Sequence, residues 1–352
     1  MLLKPDSSKF NKPIPHLIWK NTLAEAFAIL SCASPGEVVC LVGPPRVGKS
    51  LLIKRLIEIM GLNREPDDQG KITAVYVVAA NSGGNGSFST KQFSIKVLNE
   101  IKHPIYAPTG NVSSLLDHYR RQDRTTEGAY YAALERGFII RGVKYFFIDE
   151  AHHIRYARSA SMAPVAVMDL YKSFAQDTNC VIVFSGGYSL LEVTRESDHM
   201  IGRKNTIEFP RYRQTEENIK EFGDLAWTYC GYLDQSKLVL DPEEVMDELY
   251  AGSLGCIGHL RAWLKRVDAI ATVLDCPIDK NLLMAQRLSS DDLHILHEQI
   301  LRGESLVGLA NRHQAGQEKS KQITPISRKS GKPFQRKPSR PMVGNRTGGI
   351  DE

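Results

Sequence analysis

Eight consecutive residues, Gly43-Pro44-Pro45-Arg46-Val47-Gly48-Lys49-Ser50, spell G-x-x-x-x-G-K-[ST] between an apolar run and an amphipathic one, with Leu51 following. That spacing suits a loop whose backbone N–H groups wrap phosphate oxygens, while a lysine reaches the β/γ-phosphates and a hydroxyl ligates Mg²⁺. About a hundred residues on, Tyr145-Phe146-Phe147-Ile148 is an apolar strand ending in Asp149 and Glu150. By itself an acid pair after a strand could cap a helix. Beside Lys49, it predicts that Asp149 holds Mg²⁺ through water and that Glu150 polarises the water attacking the γ-phosphate of ATP. A third apolar run, Val181-Ile182-Val183-Phe184, delivers the hydroxyl of Ser185, either as a polar sensor of the γ-phosphate or as a turn serine.

These groups meet only if strands deliver them to one edge of a sheet. Strands are predicted at Val38–Val42, Ile72–Ala79, Lys144–Asp149 and Cys180–Ser185, alternating with helices near Asn21–Leu30, Lys49–Met60, Thr90–Ile101, Val112–Arg121, Gly128–Gly137 and Met162–Gln176. Alternation of this kind implies a parallel, doubly wound α/β sheet with its ligands at the carboxyl ends of the strands. From about Thr215 strand signals fade and helices dominate, including Ile257–Leu274, with Leu260, Leu264, Val267 and Leu274 on one face. The organisation that follows is an extended N-terminal arm at 1–20 packed on the first domain's edge, an α/β domain at 21–214, a helical domain at 215–310 and a disordered basic tail at 311–352.

Composition bounds the rest. The chain has 352 residues, 42% hydrophobic and 24% charged, enough for a large α/β domain and a smaller one. Its apolar runs are of strand length, so no membrane span is expected, and the opening residues lack the apolar stretch of a secretory signal. The cytoplasm is the expected compartment. Six dispersed cysteines show no zinc-ligand spacing. Residues 311–352 carry ten Lys/Arg against three Asp/Glu, which puts the net charge of +5 in the tail.

The order of phosphate loop, acidic strand end, polar strand end and helical lid resembles that of AAA+ ATPases over residues 16–310. Within them, Pro15-His16, Ile148-Asp149-Glu150-Ala151-His152, Phe184-Ser185-Gly186 and Gly255-Cys256-Ile257-Gly258-His259-Leu260-Arg261 resemble the TnsC/TniB transposition regulators. The resemblance implies an AAA+ P-loop fold with an all-helical lid, and ATP-dependent homo-oligomeric rings or filaments on double-stranded DNA. It also implies a target-selection partner of the TniQ type and a DDE transposase, as in transposons that include CRISPR-associated ones. It places a finger arginine at Arg203, a second sensor at Arg261, and DNA-backbone contacts at Lys91, Thr109 and Asn111. The alternatives for these are a surface arginine, a helix salt bridge and a solvated helix face. Two rival readings of the whole chain stay open: an AAA+ ATPase of secretion or signalling type that acts on protein without DNA, and a nucleotide-gated scaffold with little turnover.

Overall fold

The computed structural model describes residues 8–81, 86–107, 124–157, 164–195 and 204–320. Five strands, β1 (Val38–Val42), β2 (Ala74–Val78), β3 (Tyr145–Asp149), β4 (Val181–Gly186) and β5 (Lys204–Glu208), form one sheet in the order β2-β3-β4-β1-β5. Every neighbouring pair is parallel. The crossovers include α2 (Lys49–Ile59), α3 (Thr90–Glu100), α4 (Glu127–Arg141), α5 (Pro164–Thr178) and α6 (Ser189–Arg195), preceded by α1 (Leu17–Cys32).

Side chains alternate across a strand, and here both faces are apolar, as a sheet covered on both sides requires. Val38, Cys40, Phe146, Ile148, Ile182 and Phe184 pack into one core with α3, α4 and α5. Their neighbours Val39, Leu41, Phe147, Val181 and Val183 pack into another with Leu30 of α1 and Leu52, Ile53 and Leu56 of α2. A third core joins α7 (Glu216–Cys230), α8 (Met246–Ser253), α9 (Ile257–Leu274) and α10 (Lys280–Ala285), centred on Leu260, Trp263, Leu264 and Phe222. A long helix, α11 (Ser290–Ser320), follows.

Four differences from the sequence-based expectations have physical reasons. The fifth strand was not predicted because Lys204-Asn205-Thr206-Ile207-Glu208 has one aliphatic residue; it forms by pairing with β1 at the edge of the sheet. Helix α1 starts at Leu17 rather than Asn21, since His16 caps it by accepting from the Trp19 N–H. Part of the arm packs away from the α/β edge: Ser8–Asn11 is a 3-10 turn that buries Phe10 in the third core, with Lys9 Nζ 3.2 Å from Asp268, whereas Ile18 and Trp19 pack against the core shared by the sheet and α2. Helix α11 runs through residues 311–320, which the sequence assigned to a disordered tail. That stretch is rich in good helix formers and its first proline comes only at Pro325. Residues Met1–Gly308 form one compact unit and Leu309–Glu352 another, of which only the helix to Ser320 is described. Among the described residues no helix is long and apolar enough to cross a membrane.

Phe10 is the arm's only fully buried anchor among the described residues. Phe10→Ala is expected to cost about 3 kcal/mol. Urea unfolding checks this, and an unchanged midpoint would mean that the arm is not part of the cooperative fold.

Candidate phosphate-binding site

Parallel pairing puts the carboxyl ends of β1, β3 and β4 on one rim, and the chemistry lies there. After Val42 the chain enters Gly43–Gly48, where Arg46 (φ 58°) and Gly48 (φ 113°) take left-handed conformations. A side chain at Gly43 would put its Cβ 2.2 Å from the Phe209 carbonyl oxygen, so the loop closes against the end of β5 only with glycine there. Gly48 caps α2 without a side-chain hydrogen bond, which leaves the first N–H groups of the helix pointing out of its end.

Lys49 is 8% exposed, and its Nζ donates to the carbonyls of Gly43 at 3.0 Å and Pro44 at 2.8 Å. Burial lowers its pKa, opposed by the charges of Glu150 and Asp149. Asp149 is 1% exposed. Its Oδ1 accepts from Ser185 Oγ at 2.8 Å and from the Glu150 N–H at 2.9 Å, and its Oδ2 accepts from Tyr76 OH at 2.9 Å. The Tyr76, Asp149 and Ser185 side chains are thus one chain of hydrogen bonds under the loop.

Tyr76 was not anticipated as a site residue. Its only signal was a polar-tipped aromatic in an otherwise aliphatic strand. The register pairs Val78 with Asp149, so Tyr76 stands two residues back on the same face as the carboxylate. Burial, and next the Asp149 charge, raise the Tyr76 pKa, so its phenol stays protonated as a donor.

Glu150 has φ 53° and a half-exposed side chain, and His152 Nδ1 lies 3.2 Å from its Oε2. Burial first, then the neighbouring His153, brings the His152 pKa down to about 4. His152 is therefore neutral near pH 7, and the approach is not an ion pair. Its ring stacks on His153 with centroids 4.5 Å apart. Glu150, His152 and His153 bring potential ligand atoms within 4.8 Å of one another, a set that could hold a transition-metal ion. Mg²⁺ prefers oxygen, and the Ser50 hydroxyl with the Asp149 carboxylate is the donor set that fits it.

Two cavities flank the loop. One, about 590 Å³, is lined by Pro15, His16, Trp19, Leu51, Tyr229 and Arg261 among others. The other, about 550 Å³, is lined by Gly43, Lys49 and Glu150 and by residues of α6 and α11. Arg46 borders both. The first has the character of a nucleoside cleft, with aromatic and aliphatic walls and one orphaned donor, since Trp19 Nε1 is buried without a partner among the described residues. Helix α9 reaches the loop directly: the Gly258 N–H donates to the Arg46 carbonyl at 3.0 Å, and a Cβ on Gly258 would lie 2.0 Å from that oxygen. Arg261, three residues on, lines the nucleoside cleft and has no ion-pair partner among the described residues. Lys91 lies on α3 with its Nζ 5.9 Å from the centre of the Tyr130 ring. Arg203, Thr109 and Asn111 lie outside the described residues.

The family comparison agrees with this geometry, matching residues 33–194 to the model of the AAA domain. The chain has the AAA+ P-loop fold, with a parallel sheet and a helical C-terminal region. The chain is similar to the Aeropyrum pernix ORC1 protein, solved in complex with DNA (TM-score 0.50, 14% identity, 80% of this chain and 67% of that one). It is similar also to the Aeropyrum pernix ORC2 protein in its ADP form (0.49, 14%, 81% and 72%) and to a Walker-type ATPase of Pyrococcus abyssi (0.47, 14%, 80% and 76%). At these identities the ORC1 likeness bears on the fold alone. No curated protein matches the sequence.

His16 caps α1 and lines the larger of the two cavities. Its Nδ1 lies 3.4 Å from the Trp19 N–H that it caps and 2.8 Å from Tyr212 OH, so Nδ1 is the unprotonated nitrogen, and burial lowers its pKa to about 4. Unfolded histidine titrates near 6.5. Between these values the unfolded chain binds more protons, so the contribution of His16 is whole above pH 6.5 and is lost as pH falls toward 4. His16→Asn keeps a capping oxygen without the titration. Its urea midpoint is expected to fall less than that of the parent protein between pH 7 and 5, and parallel pH profiles would count against the assignment.

Proposed function

We propose that the chain is a Mg²⁺-dependent ATPase that oligomerises on double-stranded DNA and regulates transposition. The observation that carries the first half is convergence: Lys49, Ser50, Asp149, Glu150 and Ser185 meet at one rim, two of them buried charges held by neutral donors and acceptors. A triphosphate lying along Gly43–Ser50 and Leu51 would find α2 N–H groups and Lys49, with its nucleoside in the cleft of Pro15, His16 and Tyr229. Mg²⁺, when bound by Ser50 and Asp149, would neutralise charge on the β- and γ-oxygens. Glu150 takes the proton of a water whose oxygen bonds to the γ-phosphorus as the bond to the β–γ bridging oxygen breaks. ADP leaves with that electron pair, and inorganic phosphate is the second product. Ser185 fixes the Asp149 carboxylate and reports the γ-phosphate to β4, while Arg261 brings the lid onto the nucleotide. Arg203 of a neighbouring subunit is the proposed finger.

The second half rests on the resemblance of residues 15–16, 148–152, 184–186 and 255–261 to the TnsC/TniB regulators. It gains support from the placement of Pro15-His16 and Ile257-Gly258 on the wall of the nucleoside cleft. On this reading residues 21–214 are the ATPase domain and 215–310 the lid, in a cytoplasmic protein. Lys91, Thr109 and Asn111 touch DNA phosphates, and the partners are a DDE transposase and a TniQ-type target-selection protein.

Glu150→Gln is expected to abolish turnover, with a fall of at least about 10²-fold, yet to keep ATP-dependent assembly on duplex DNA. Lys49→Ala is expected to lose both. Phosphate release and electrophoretic mobility at low salt read the two properties, and electron microscopy with an ATP analogue shows whether rings or filaments form. Hydrolysis without any DNA complex would move the assignment to an ATPase acting on protein.

A further inference from the structure

The 550 Å³ cavity beside the phosphate loop is closed partly by the chain's own C-terminal helix. Gln299, Ile300, Arg302, Gly303 and Leu306 of α11 line it together with Gly43, Lys49 and Glu150. The helix is seated in one register. Gly303 lies against the Tyr188 ring so closely that a Cβ there would come within 2.1 Å of Tyr188 Cγ. Next to it, Glu304 is held by Arg211 at 3.0 Å and by Arg213 at 3.4 Å, and Ile300 and Val307 are buried in the two cores of the sheet. This packing fixes the backbone on both sides of Arg302.

Arg302 itself stays at the surface of the cavity. Its side chain is 74% exposed, and its Nη2 lies 2.7 Å from Glu192 Oε1 in the first turn of α6, the helix that follows β4. Such an exposed ion pair is weak and easily exchanged for a better anion. Apart from histidines, the cavity is lined by Arg46, Lys49, Arg155 and Arg302 against Glu150 and Glu192, so it carries two more positive charges than negative ones. Of its arginines, Arg155 is stacked on and hydrogen-bonded to Tyr156, and Arg46 is tied by its strained backbone to Gly258. Arg302 is the one on a rigidly seated element, and among the described residues its side chain pairs with a single part-exposed carboxylate.

We propose that Arg302 is a cis-acting catalytic residue: the chain's own C-terminal helix supplies a guanidinium that leaves Glu192 and engages the γ-phosphate oxygens in the transition state. This rests on the ATPase reading above. A second cation on the charge that develops there adds to Lys49, and supplied from the same chain it makes hydrolysis partly independent of a neighbour. The γ-phosphate end of a triphosphate anchored by Lys49 lies in this cavity, since Lys49 and Glu150 both line it.

The test compares the full chain with Arg302→Ala and Arg302→Lys. Because the side chain is exposed, both variants are expected to keep the parent's urea midpoint and to bind a fluorescent ATP analogue within about threefold of it. Turnover is expected to fall about 10²-fold or more in Arg302→Ala, with only partial recovery in Arg302→Lys, and the ADP–aluminium fluoride complex is expected to be lost. Mixing Arg302→Ala with Glu150→Gln subunits, which are expected to keep assembly, separates the two geometries: a cis role predicts no recovery of turnover. Recovery on mixing, or parental turnover in Arg302→Ala, would overturn the proposal while leaving the ATPase assignment intact. A parent protein that neither binds nor hydrolyses ATP would overturn both.

Discussion

Two ionised side chains are buried at one rim of the sheet and neither is neutralised by the other. Lys49 is held by two backbone carbonyls and Asp149 by two hydroxyls and an N–H, and they form no ion pair among the described residues. Burying a charge is costly unless it is hydrogen-bonded, and these two are solvated by the protein in place of water. That requirement organises the surroundings. The loop must turn back so that Gly43 and Pro44 present their carbonyls, β4 must end on a hydroxyl, and β2 must carry a phenol two residues before its end. Both charges keep unused capacity toward a ligand, the ammonium toward phosphate oxygens and the carboxylate toward a hydrated metal.

The parallel sheet makes this possible at small structural cost. With every strand running the same way, one rim collects the ends of β1, β3 and β4, and hydrophobic residues on both faces hold the strands in register. Asp149 and Ser185 stand at the ends of strands whose interiors are apolar, and Glu150 follows one residue on. Precision at the rim thus comes from packing elsewhere, in the cores that contain Phe146, Phe184 and Leu52.

This division explains what could be read from the sequence. The phosphate loop and the acid pair were legible because each is a local string next to an apolar run, and β1 and α9 were placed to the residue. Tyr76 was not legible because its role depends on a neighbouring strand's register, which no local pattern carries. Strand β5 was missed because its residues gain nothing from their own composition and are ordered by β1. The docking of α11 was hidden for a similar reason: it depends on the absence of a side chain at Gly303 opposite a ring more than a hundred residues earlier. The finger and DNA expectations at Arg203, Thr109 and Asn111 fall outside the described residues, so they rest on resemblance alone.

The link between α9 and the phosphate loop is made of backbone on both sides, a Gly258 N–H on the Arg46 carbonyl. It therefore has no side chain to titrate, oxidise or swap. A small tilt of the helical lid must lengthen that contact or drag the loop along with it. Lid angle and loop shape are then a single mechanical coordinate, and anything that grips the lid from outside has a lever on the nucleotide.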